Sequence, residues 1–271
     1  MITSTGSRQM KHISHLMKKA RVRREEGLFV VEGKKMCKEA PAEELVQVYV
    51  SESFRSDPAA EELLRDRRYE VVSDPVFKSI SDTLTPQGIL GVVKMPRYDL
   101  ADLLCGSRTH LLALEGIQDP GNLGTMLRTG ECAGITGILM DQTTVDLFHP
   151  KTVRSTMGSI YRVPYYVAED FAAAVREVKK HGITVYAAHL KGTLSYDEPS
   201  YREGTAFLIG NEGNGLTAET AGLADERIKI PMEGCAESLN AAVSAALLMY
   251  EAARQRRHCG GRQGERHADL V

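Results

Sequence analysis

Short apolar runs recur along the chain, separated by polar stretches with helical spacing. In the N-terminal part, the runs at residues 28–31, 45–50, 69–72 and 88–95 predict strands. Each is brief and ends at a glycine, a proline or a charged turn. Between them residues 11–26 predict a polar helix stopped by Gly27, and residues 34–40, 58–68 and 75–81 predict shorter helices. Residues 97–108 follow Pro96, contain Gly106 and predict a linker. Beyond it, strands are predicted at 111–114, 135–140, 184–188, 206–209 and 227–230. Helices are predicted at 122–133, 151–155, 171–181 and 238–256, with a short turn near Ala218. Strands alternating with helices imply a mostly parallel sheet covered on both faces. The chain thus divides into an α/β domain at 1–96, the linker, a second α/β domain at 109–257 and a disordered tail at 258–271.

Size adds a bound rather than a direction. With 271 residues, 42% of them hydrophobic, the chain can bury one large core or two modest ones. Its formal net charge of −2 does not announce a nucleic-acid partner, but the distribution does. Residues 8–35 hold nine Lys or Arg against three Glu. Lys11, Lys18, Lys19, Arg21, Arg23 and Arg24 in that stretch, with Arg154 further on, are candidate contacts to RNA phosphates. The alternative is an ordinary solvated helix face. The five cysteines (37, 105, 132, 235, 259) show no CxxC pair and no zinc spacing, so no metal is expected. No segment approaches the roughly 20 apolar residues that span a bilayer. A cytoplasmic protein with no membrane partner is the expectation.

Three glycine- and asparagine-rich blocks carry the chemistry. The first spans 114–128 and contains Asp119, Pro120, Gly121, Asn122, Thr125 and Arg128. The second spans 208–216 around Gly210, Asn211, Glu212, Gly213 and Gly215, and the third runs from Ile230 through Pro231, Met232 and Ser238 to Asn240. Each begins or ends at a strand candidate, and ligands of open α/β sheets bind beyond the carboxyl ends of strands. Neither GxGxxG nor a P-loop is present. Glu212 inside the second turn would repel a pyrophosphate but suits a cationic ligand. Arg128 can hold a phosphate bidentately or simply lie on the surface. Ser238 can cap the helix that follows, and the Asn240 amide can meet a ribose hydroxyl or a loop carbonyl.

Together the blocks resemble the SpoU/TrmH family of the SPOUT superfamily, RNA 2′-O-ribose methyltransferases that use S-adenosyl-L-methionine. The likeness covers residues 109 to about 254. It extends to the segment 149–158 and to residues 10–40, where Phe29-Val-Val-Glu-Gly33 looks like the family's substrate-binding domain. The resemblance implies a deep C-terminal trefoil knot, an exception to the rule against threaded chains. It also implies a homodimer with active sites at the interface. Carried over by position, Asn122 and Arg128 face the RNA and the reacting ribose, Glu212 is the acid of the second motif, and Ser238 and Asn240 are the polar pair of the third. The cofactor would be held by Leu208, Ile209, Gly210, Asn211, Gly213, Ile230, Pro231, Met232, Ser238 and Leu239.

The implied reaction is in-line attack of a ribose 2′-oxygen on the donor methyl group, helped mainly by alignment, which can supply roughly 7–11 kcal/mol. The implied substrate is ribosomal RNA (23S), with transfer RNA the alternative. A knotted base methyltransferase and a non-catalytic RNA-binding protein of the same fold are competing readings. A Rossmann-type methyltransferase is disfavoured by the glycine spacing and by the order of the blocks.

Overall fold

The computed structural model describes residues 1–259. Two compact units emerge, and neither is a single stretch of chain. The first takes Met1–Tyr98, Ile117–Glu131 and Thr143–Val163; the second takes Asp99–Gly116, Cys132–Gln142 and the chain from Pro164 onward. The tail expected at 258–271 lies outside the described residues from position 260 on.

The first unit holds α1 (Arg8–Lys18), α2 (Ala20–Glu26), β1 (Leu28–Glu32), α3 (Lys34–Glu39), β2 (Leu45–Ser51), α4 (Ala60–Leu64), β3 (Tyr69–Val72), α5 (Asp74–Ile80) and β4 (Ile89–Lys94). It also holds nearly all of α6 (Pro120–Ala133), and α7 (Pro150–Ser155). Its sheet runs β1-β4-β2-β3 and is mixed: β4 is antiparallel to β1 and β2, whereas β2 and β3 are parallel. Met10, Ile13, Leu16 and Met17 form one stripe of α1 and pack with Val76, Phe77 and Ile80 of α5 on Val30, Leu90 and Val92. This spacing is the amphipathic period of a helix covering a sheet.

The single helix expected at 11–26 is in fact two. Lys19 is extended (φ −123°, ψ 104°) and separates α1 from α2. The cause lies in Arg23, whose Nη1 donates to Leu16 O (2.5 Å) and Met17 O (3.1 Å). These are carbonyls at the end of α1, which a continuous helix would have satisfied itself. Residues 143–163 join this unit through aromatic and polar contacts. Phe29 packs against Phe148 (centroids 4.7 Å apart), and Tyr161 donates its hydroxyl to Met36 O (2.9 Å).

The second unit holds β5 (His110–Leu114), β6 (Gly137–Met140), β7 (Tyr165–Val167), α8 (Phe171–Lys180), β8 (Thr184–Ala188), β9 (Leu194–Ser195), β10 (Thr205–Ile209), α9 (Ala218–Leu223), β11 (Glu226–Lys229) and α10 (Ala241–Cys259). The strand order is β7-β6-β5-β10-β8-β11-β9, and every neighbouring pair is parallel. The central strands β5 and β10 are buried along their whole length, as the continuous apolar runs foretold. The edge strands β7 and β9 were not foreseen. They are only three and two residues long and largely half-exposed, so they carry no apolar run. In the segment expected as a linker, Leu103 is fully buried and its carbonyl accepts from Thr136 Oγ1 (2.8 Å).

Candidate active site

The second block begins where β10 ends. Asn211 and Gly215 exchange backbone hydrogen bonds (3.1 and 2.9 Å), closing a tight turn over Gly210. A Cβ on Gly210 would lie 2.1 Å from Gly215 C and 2.2 Å from Leu216 N, so only glycine lets the returning chain pass so closely. The Asn211 side chain builds the turn. Its Oδ1 accepts from Gly213 N (2.9 Å) and Asn214 N (3.0 Å), and its Nδ2 donates to Gly116 O (2.8 Å). Glu115 adds a second tie, accepting from Thr217 N and Thr217 Oγ1 (both 2.8 Å) and from Thr220 Oγ1 (2.5 Å). The start of the first block and the whole of the second are therefore stitched together beside β5 and β10.

A cavity of about 390 Å³ opens at the carboxyl ends of β8, β10 and β11. This is within the size range of small-ligand sites. Its walls come from Ala188–Lys191 after β8, from Ile209–Leu216 after β10, from Ile228–Ile230 and Met232 after β11, and from Ser238, Leu239, Ala241, Ser244 and Leu248. Of the expected cofactor residues, Ile209, Gly210, Asn211, Gly213, Ile230, Met232, Ser238 and Leu239 line it. Leu208 and Pro231 do not; Leu208 is fully buried in the sheet. Glu212 is half-buried in the wall. Apolar walls and backbone at three strand ends, with Glu212, Lys191 and Lys229 as charged groups, suit a nucleoside-sized ligand that carries both signs of charge.

The cap of α10 differs from expectation. Asn240, not Ser238, occupies that role: its Oδ1 accepts from Ala242 N (2.9 Å) and Val243 N (3.3 Å), while Ser238 is exposed in the preceding loop. Asparagine two and three residues before those amides fits the N-cap preference as well as serine does. The loop after β8 was missed altogether. The rule that directs attention beyond the carboxyl ends of β10 and β11 applies equally to β8, and the polar residues His189 and Lys191 after a buried strand were the available signal.

The rest of the first block forms α6 in the first unit. Asp119 opens this helix, accepting from Asn122 N (2.8 Å) and from Lys151 Nζ (3.2 Å). The Asn122 amide, with Lys151 behind it, holds the Asp119 carboxyl below the usual carboxylate range. Leu123, Met126 and Leu127 are buried, Thr125 and Arg128 are exposed and Asn122 is half-buried. Asn122, Thr125 and Arg128 recur every three residues and so share one broad face.

Among the basic residues expected to face RNA, Lys11, Lys18, Lys19, Arg21 and Arg24 are exposed. Arg21 also pairs with Glu25 (2.6 Å) on the helix surface, and Arg154 donates to Asp82 (2.8 Å). Arg23 has to be removed from that group. It is 2% exposed, and besides the α1 carbonyls it binds Asp146 through Nε (3.0 Å) and Nη2 (2.5 Å). A guanidinium engaged on four sides and sealed from water is structural.

Residues 109–250 match the model of the SpoU rRNA Methylase family, and residues 7–91 match an MRM3-like substrate binding domain. The chain is 38% identical over 180 residues to the 23S rRNA (guanosine(2553)-2′-O)-methyltransferase RlmP of Bacillus subtilis (strain 168), covering 66% of this chain and 70% of that one. Among solved structures it resembles the SpoU methyltransferase AviRb from Streptomyces viridochromogenes in complex with AdoMet. The TM-score is 0.85 at 26% identity, over 94% of this chain and 100% of that one. It also resembles the AdoMet-bound rRNA methyltransferase from Sinorhizobium meliloti, with a TM-score of 0.81 at 31% identity, over 95% and 97%.

Proposed function

We propose that the chain, which belongs to the SpoU rRNA methylase family, methylates ribosomal RNA of the large subunit and does so as a homodimer. Its activity is S-adenosylmethionine-dependent transfer of a methyl group to a ribose 2′-hydroxyl of RNA. The observation that carries this reading is the cavity where the second and third blocks meet at the strand ends. The substrate named for the Bacillus relative favours 23S ribosomal RNA over transfer RNA. On this reading residues 1–96 bind the RNA, residues 109–257 form the methyltransferase domain with the family's trefoil knot, and 97–108 connect them.

The dimer reading draws on α10. Val243, Leu247 and Tyr250 are 48%, 36% and 44% exposed and recur at helical spacing along one face. An apolar stripe of this kind on a 19-residue helix calls for a covering surface, and a second copy of the chain supplies one. Among the described residues no helix is long and apolar enough to cross a membrane. We place the enzyme in the cytoplasm, where its RNA substrate is made.

The bound sulfonium supplies the methyl group and a neutral leaving group. Ile209, Gly210, Asn211, Gly213, Ile230, Met232 and Leu239 hold it by shape and backbone, and Glu212 offsets its positive charge. Ser238 and Asn240 are the polar pair of the third block available to the ribose, and by the family's pattern Asn122 faces the RNA. By the family's pattern Arg128 faces the reacting nucleotide, where its planar fork of donors suits gripping the adjacent phosphate and stabilising the oxyanion that develops on the 2′-oxygen.

The test is nucleoside mass spectrometry after incubation with ribosomal RNA and S-adenosylmethionine. A ribose-methylated product is expected. A base-methylated product would assign the chain to ring-nitrogen chemistry, and unchanged RNA would make it a binding protein. Arg128→Ala should lower turnover by about 10³-fold while leaving S-adenosylhomocysteine affinity within a few fold. Normal turnover by that variant would remove Arg128 from the site.

A further inference from the structure

The first unit contains a second cavity, of about 380 Å³, that none of the three blocks touches. It opens where β1 and β2 end and β4 begins. Lys34, Ser51, Ser53, Asp57 and Gln87 surround it, and Phe54 forms a buried apolar wall. Gly88 lets the chain close behind it: φ is +78°, and a Cβ there would stand 2.6 Å from Ser51 Oγ and 2.9 Å from Phe54 Cβ. The walls are held before any ligand arrives. Ser51 Oγ accepts from Phe54 N (3.2 Å), Ser53 donates through its amide (3.1 Å) and hydroxyl (2.8 Å) to Asp74, and Gln87 Oε1 accepts from Lys34 N (2.8 Å).

The charges decide what fits. Lys34 Nζ is paired with Asp57 Oδ2 at 2.6 Å, so the cavity presents no uncompensated cation for a phosphate. One carboxylate is too few for a dedicated divalent cation site. What remains is a neutral mixture of donors and acceptors: hydroxyls, an amide fixed by its oxygen, and a compensated ion pair whose Lys34 ammonium lies 5.9 Å from the centre of the buried Phe54 ring. That is the chemistry of a nucleobase edge. Beside the cavity, the segment that carries Gln87 is braced by Glu32, which accepts from Asp82 N (3.0 Å) and Thr83 Oγ1 (2.7 Å), and it presents Leu84 at 94% exposure. An apolar tip on a braced segment adds a surface on which a neighbouring base can rest.

We propose that this cavity takes one unpaired nucleobase of the RNA substrate, separately from the nucleotide that is methylated. The inference rests on the reading that the first unit binds RNA. It makes that unit a reader of bases as well as of phosphates, since base edges in single strands are the part of RNA that carries sequence.

The test uses the full chain and a short single-stranded oligoribonucleotide of mixed sequence, compared by fluorescence anisotropy with the same backbone carrying abasic residues. The protein should prefer the base-bearing strand by about tenfold or more. Gln87 is exposed, so Gln87→Ala and the bulk-preserving Gln87→Met should fold normally, as thermal melting will verify. Both should erase that preference, and because no charge is removed both should keep the salt dependence of binding. Equal binding of the two strands by the unaltered protein, or a preference that survives both substitutions, overturns the proposal. S-adenosylhomocysteine titrated into the same samples reports on the other cavity, so failure here leaves the methyl-transfer reading standing.

Discussion

The two cavities are almost equal in volume, about 390 and 380 Å³, yet they are made of different material. The one in the second unit is framed largely by main chain and apolar side chains where parallel strands stop, with Glu212, Lys191 and Lys229 among its walls. The one in the first unit is framed by polar side chains braced by their neighbours. Main chain at strand ends needs glycines and leaves a pattern in the sequence. A polar side-chain frame needs only serines, a lysine, an aspartate and a glutamine, which occur everywhere. The first kind of site is therefore announced by the chain and the second is found only in three dimensions.

The contrast can be broken most sharply at Gly210. Gly210→Val should lower S-adenosylhomocysteine affinity by more than about 10³-fold, because the new atoms would occupy the space of the returning turn. Oligonucleotide binding should survive, and parallel calorimetry and anisotropy will show whether the two activities separate.

Acid provides a second probe of the second unit. His110 is 1% exposed, and burial, aided by the nearby Arg256 cation, pushes its imidazole down to about 3. The folded state thus excludes a proton that the unfolded chain binds below about 6.5. Stability from this group is intact above that pH and declines as pH falls towards 3, by on the order of 4 kcal/mol at full extent. Urea denaturation across that range, followed by loss of S-adenosylhomocysteine binding, should show the decline. His110→Leu should flatten it.

Arg23 tests the first unit in the same way. Arg23→Met leaves Asp146 without its partner and the end of α1 without its cap, and should cost about 3 kcal/mol in urea denaturation. Its effect on the salt dependence of RNA binding should be nil. The smallest effect is expected at the surface. Removing the charge of Lys18, Lys19 or Arg24 should reduce the log–log salt slope by roughly 0.7–0.9 for each phosphate that is no longer neutralised. An unchanged slope would return these side chains to a plain solvated face.

How much of this was legible follows the same division. The buried strands β5, β8 and β10 stood out because parallel sheets demand unbroken apolar runs, whereas β11 buries only Ile228 of its four residues. Eight of the ten cofactor residues expected from the family resemblance line the cavity, and the turn chemistry of Gly210, Asn211 and Gly213 alone marks only the second block. Arg23 was unreadable. In a run of basic residues nothing marks the one that turns inward, and its partner Asp146 is 123 positions away. The break at Lys19 depends on that same pairing. Ser238 and Asn240 compete on equal terms for one cap, and only the backbone path decides between them. β7 and β9 are too short to have a period at all.

Glu115 and Asn211 together have a wider consequence. By tying the turn after β10 to the end of β5, they make that rim of the cavity a fixed jaw. In the third block Met232, Ser238 and Leu239 line the cavity, and the residues between the first two, 233–237, are exposed and without regular structure. Whatever adjustment accompanies entry of the methyl donor must then come from one side only. Over evolutionary time that intervening stretch is free to drift in sequence and length, while any change to the anchored rim disturbs two strands at once.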